Sequence, residues 1–109
     1  MTILRTISEI SINKPALIIF TRGKSLLLDE DVAICGNWKV DPQKTVKDVI
    51  IYLRKNSNYI YQGSFIKYEL SEEENRYKVF IKNLIKVGTT FSNWKEFAKG
   101  GQNPTQYIY

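Results

Sequence analysis

Two runs of alternating residues, one on each side of an acidic turn, commit this chain to a sheet. Ile66, Tyr68 and Leu70 alternate with Lys67 and Glu69, and Tyr77, Val79 and Ile81 alternate with Lys78 and Lys82. A period of two sends every second side chain to the same face of a strand, so an apolar set at that period predicts one buried face. Residues 71–75, Ser-Glu-Glu-Glu-Asn, form the turn between the runs.

Other segments read as strands for a different reason. Residues 15–20 (PALIIF) and 49–54 (VIIYLR) are apolar without alternation and rich in β-branched residues, which favours buried strands; Pro15 is tolerated at a strand start. Residues 59–70 form one long strand, in which Gly63 marks a bulge or a bend. Residues 105–109 form an edge strand. Residues 26–34 (LLLDEDVAI) read either as a short helix or as an irregular covering segment. Asp41 is a good N-cap and Pro42 suits the first helical position, so residues 41–48 predict a helix of one or two turns. In residues 93–99 (NWKEFAK), Asn93 and Glu96 form a capping box, Gly100-Gly101 ends the helix, and Trp94 and Phe97 face the core. The expected class is α+β: a small, mostly antiparallel sheet curled into a barrel, with two or three short helices. At 109 residues the chain makes one domain, with 1–14 as an N-terminal extension.

Absent residue types narrow the chemistry. The chain has no histidine, the commonest general base and metal ligand, and a single cysteine, Cys35. That set cannot build a structural zinc site, and no base for a Cys35 nucleophile stands near it in sequence. The acidic clusters at 29–31 and 72–74 read as solvated turns. The expectation is a non-catalytic domain with no cofactor and no metal. A lone cysteine excludes an internal disulfide and fits a reducing, cytoplasmic setting. Residues 1–14 lack a signal-peptide layout, and no apolar run approaches the ~20 residues that span a bilayer, so no membrane partner is expected.

The charge has a direction. The net charge is +5, and between Gly36 and Lys67 six basic residues face only Asp41 and Asp48. Lys44, Lys47, Arg54 and Lys55 are the candidate phosphate contacts, because a basic face interleaved with aromatics suits nucleic acid: cations meet phosphates and rings stack on bases. Trp38, between Asn37 and Lys39 in what reads as a turn, is either a pocket wall stacking on a base or a half-buried core ring whose N–H finds an internal acceptor. Asn37 can read a base edge or bond its own backbone. Gln102 and Asn103 bring two amides to the same pocket or make a turn closed by Pro104. Tyr59 and Tyr61 share a strand face as stacking platforms or as sheet packing.

Two stretches carry a resemblance. Residues 36–65, beginning GNWKV, and the ending GGQNPTQYIY resemble the PUA-like barrels, the superfamily of the EVE, YTH and ASCH domains. More narrowly they are similar to microbial domains with an R-G-x-W-[KR] turn and a G-x-Q-N-P-x-x-Y ending, from which this chain departs by placing Cys35 where arginine is expected. The resemblance covers residues 16–109. It implies a barrel that binds DNA or RNA and, in its finer form, encloses a modified base in an aromatic-lined pocket. The other function class is a small interaction or regulatory module, of viral or mobile-element type, meeting an acidic protein partner; aromatic and basic residues serve that role equally well.

Overall fold

The computed structural model describes residues 10–21, 26–29, 31–38, 40–54, 58–89 and 105–109. Their elements are all strands: β1 (Ala16–Thr21), β2 (Leu26–Asp29), β3 (Val32–Trp38), β4 (Asp48–Arg54), β5 (Asn58–Leu70), β6 (Tyr77–Thr89) and β7 (Thr105–Ile108). They form one sheet in the order β2-β3-β6-β5-β4-β1-β7. Neighbours run antiparallel except β1 and β4, which are parallel from Ala16↔Asp48 to Thr21↔Leu53.

The expected α+β class and closed PUA-like barrel are therefore corrected. The sheet is mixed and open, its edges β2 and β7 do not pair, and the described residues contain no helix. The expected helix after Asp41 stops at its first turn. Asp41 does cap, its Oδ1 accepting from Gln43 N–H at 3.0 Å and its carbonyl from Lys44 N–H at 3.0 Å. Beyond that the backbone is taken by other strands: Lys47 N–H donates to the Pro15 carbonyl at 2.7 Å and the Lys47 carbonyl accepts from Phe65 N–H at 2.9 Å. Val46 enters the core at this point. Tertiary partners outbid a helical propensity already weakened by β-branched Thr45 and Val46. Residues 26–34 are neither helix nor cover but most of a hairpin, paired from Leu26↔Cys35 to Asp29↔Val32. The helix expected at 93–99 lies outside the described residues, with Trp94 and Phe97.

The long β5–β6 hairpin is shared by two halves of the sheet. Its open end, 58–64 with 82–89, carries β4, then β1, then β7; its turn end, 65–70 with 77–82, carries β3 and then β2. Register shifts between the halves bend it, at Gln62/Ser64 and at Phe65/Lys67. Gly63 sits at the first shift. A Cβ there would meet Ile81 Cγ2 at 2.5 Å and the Lys82 carbonyl oxygen at 2.9 Å, so no side chain fits. The bend brings Tyr68 of β5 to Tyr107 of β7, three strands away in the sheet order, with their hydroxyls 3.5 Å apart.

The inner face of the bend holds the larger core: Leu17 and Ile19, Val49 and Ile51, Ala33 and Cys35, Val79 and Ile81. A second cluster lies on the outer face of the β1–β4 half, where Ile10 joins Ile18, Phe20, Ile50, Tyr52 and Ile60 and Ile12 packs alongside. β1 and β4 are thus covered on both faces. Asp48, buried at the start of β4, is taken up by amides: Asn13 N–H reaches Oδ2 at 3.0 Å and Gln62 Nε2 reaches it at 2.9 Å, while Gln62 also donates to the Ser11 carbonyl at 2.7 Å. This network ties residues 11–13 to the sheet. Among the described residues no helix is long and apolar enough to cross a membrane.

Candidate nucleic-acid interface

The segment from Val40 to Lys47 leaves β3 and crosses to β4 past the edge strand β7. Two hydrogen bonds tie it to β7 and β5. Asp41 N–H donates to the Tyr107 hydroxyl at 3.3 Å, and the Tyr68 hydroxyl donates to the Lys44 carbonyl at 2.7 Å while facing the Tyr107 hydroxyl. Burial, followed by the contact with Tyr107, raises the Tyr68 phenol above its ordinary pKa. Tyr68 therefore stays protonated and can keep donating.

Lys44 projects from this seam over two rings. Its Nζ lies 5.2 Å from the Tyr107 centroid and 5.6 Å from that of Tyr109, and the two rings stack at 6.2 Å with 21° between their planes. Alternation along β7 explains the pair, since residues two apart share a face. Tyr107 packs on the core, whereas Tyr109 is 73 % exposed. The Lys44 ammonium is held above its ordinary pKa, chiefly by hydrogen bonding to Tyr109. A fixed cation beside an open ring face can meet an anion and a planar group together.

Trp38 closes β3 three residues before Asp41, within ~11 Å of it by chain reach. It stands in strand, opposite Tyr77 and after a register shift from Cys35, and not in the expected turn. The half-buried indole packs on the inner core and donates its N–H to Cys35 Sγ at 3.2 Å. Burial pushes the Cys35 thiol up to about 11, the Trp38 N–H opposing it weakly, so the sulfur is a thiol at neutral pH and a poor nucleophile.

The other sequence-predicted residues separate into groups. Lys44 and Lys47 lie on the crossing segment, both exposed. Asn37 lies in β3 and Arg54 ends β4, their side chains not among those described. Tyr59 and Tyr61 lie at the far end of β5, opposite Leu53 and Ile51 in an unbroken register that gives them one face. Lys39, Lys55, Gln102 and Asn103 lie outside the described residues. The structure brings Lys44 to Tyr107 and Tyr109 and leaves Arg54, Tyr59 and Tyr61 towards the other end of β4 and β5. Sequence reasoning missed Tyr68, Tyr107 and Tyr109. The Tyr-Ile-Tyr spacing at 107–109 was the available signal, because it puts two rings on one strand face.

Comparison of this chain with protein-family models, curated proteins and solved structures finds no match.

Proposed function

We propose that this domain is a non-catalytic nucleic-acid-binding module that takes an unstacked base, modified or flipped, at the seam between β7 and the crossing segment. One observation carries the reading: Lys44 poised over the stacked Tyr107–Tyr109 pair, with Tyr109 open to solvent. The net charge of +5 supports it, as does the resemblance to PUA-like domains. In this reading Tyr109 stacks on the base, Lys44 and Lys47 meet phosphates, and Trp38 backs the site from the core. Asn37, Gln102 and Asn103 retain their proposed role at the base edge.

The test is salt-titrated fluorescence anisotropy on single-stranded and duplex DNA and RNA, with and without base modifications. Tyr109→Ala should cost about 1–3 kcal/mol of affinity at unchanged salt slope, because stacking releases no counterions. Lys44→Ala should weaken all sequences alike and lower the single-strand slope by about 0.7. Binding no tighter than that of an unrelated protein of equal charge would end the proposal. The second reading, a protein-interaction module with an acidic partner, draws on the edge strand β2, where Leu27 and Leu28 are 64 % and 69 % exposed.

A further inference from the structure

A second cation lies over a ring at the other end of the same inner face. Lys86 Nζ is 4.8 Å from the Tyr59 centroid, and Tyr61 pairs directly with Lys86 across the hairpin. Both rings are half-buried and the lysine is exposed. Residues 49–68 and 76–89 contain no carboxylate at all, yet they include Arg54, Lys55, Lys82 and Lys86. Of the acidic residues that other elements bring to this hairpin, Asp48 is buried among amide donors, and Asp31 meets it at Asn83, accepting the Asn83 N–H through its carbonyl. Among the described residues, the open end of the hairpin therefore presents the Lys86 cation beside two tyrosine rings.

Its distance from the seam follows from the register. Tyr107 stands in one row with Leu17, Val49 and Gly63, and Tyr59 lies four residues farther along β5. Strand spacings of ~4.8 Å and rises of ~3.3 Å put the two ring–cation pairs about 20 Å apart. Ile19 and Ile51, between them on that face, are fully buried. A ligand touching both pairs must pass over a covered core and make contact at its two ends.

We infer that the ligand is a single-stranded polynucleotide long enough to engage both pairs, and not a lone nucleotide; this rests on the nucleic-acid reading above. A stacked strand advances ~3.4 Å per nucleotide, so bridging takes at least about six nucleotides. Each end offers a ring face to an unpaired base and a cation to a phosphate. Linking the two contacts through one strand raises avidity without any new contact type.

The experiment measures binding of oligothymidylates and oligouridylates of two to sixteen nucleotides to wild type, to Tyr59→Ala/Lys86→Ala and to Tyr59→Phe, each first shown by circular dichroism to fold. Wild-type affinity should rise at least tenfold between three and eight nucleotides, with a steeper salt slope for the longer strand. The double variant should bind trinucleotides within about threefold of wild type and lose most of the gain with length. Tyr59→Phe, which keeps the ring, should retain it. If short and long strands bind alike, or the double variant keeps the full gain, the two-ended site is wrong while the seam stands. If no length binds, both fall.

Discussion

The two halves of the sheet are built by different rules. In the half carrying β7, β1 and β4, the central strands are buried on both faces, between the inner core and the outer cluster of Ile10, Ile18, Phe20, Ile50, Tyr52 and Ile60. Among the described residues, the half carrying β3 and β2 buries only its inner face. Strand pairing puts Lys67 and Phe80 together on the outside, in line with Ile34 and Leu27, and Lys67 caps the Phe80 ring at 4.9 Å while pairing with Glu69 at 2.6 Å. The difference teaches where each property resides. Apolar burial on both faces is confined to the two-faced strands, while the one-faced strands keep a surface open among the described residues.

Four measurements break or sharpen that contrast. The largest effect is expected from Ile50→Ala in the two-faced half: about 4 kcal/mol in denaturant unfolding, from lost transfer energy and a cavity that packed neighbours cannot fill. A cost under 1 kcal/mol would mean that the outer cluster is loosely packed. Gly63→Ala tests the boundary between the halves and should cost up to about 3 kcal/mol, since two of the atoms nearest the new methyl are backbone. A neutral result would show that the hairpin can straighten.

The third probe reads the inner core through Cys35. Its folded pKa of about 11 exceeds the ordinary 9.0, so the folded state holds the proton more tightly. That contribution is complete below pH 9 and is lost as pH rises towards 11, by about 3 kcal/mol in all. Wild type should lose stability over this window more steeply than Cys35→Ala, and equal slopes would place the thiol nearer solvent. The smallest effect belongs to the exposed face of β2, where Leu27→Ser should shift stability by no more than about 0.5 kcal/mol. A cost above 2 kcal/mol would show that this leucine is covered in solution.

Legibility in the sequence follows the same division. The unbroken apolar runs at 15–20 and 49–54 identified β1 and β4 as buried strands, because a strand covered on both faces has no polar side to display. Nothing in them said that they pair parallel to one another, since pairing direction depends on what lies between them in the chain. In β5 the alternation revealed the strand and misassigned part of its face. Ile66 falls at a register shift, which leaves it 41 % exposed and turns Phe65 and Tyr68 inward. A bulge is one residue of backbone, and a period of two cannot announce it. Gly63 announced only its own shift, at Gln62/Ser64, because only a missing side chain suits that approach. The Asp41 cap was legible as a cap and not as a single turn, because the bonds that end it come from Pro15 and Phe65. At the site, Lys44 was visible as charge, whereas Tyr68 and Tyr107 became partners only through the bend.

The position of β1 has a consequence for how the chain reaches this structure. β1 lies between β4 and β7, so its Ala16 is paired on one side with Asp48 and on the other with Ile108, near the opposite end of the sequence. Pairings of such long sequence separation require most of the chain to be restricted first, and they slow the search for the native state. During synthesis the most apolar strand emerges well before its last neighbour, β7. Throughout that interval one edge of β1 is an open template for other chains. Yield at low temperature or with chaperone help should therefore depend on residues 105–108 more than their four-residue length would suggest.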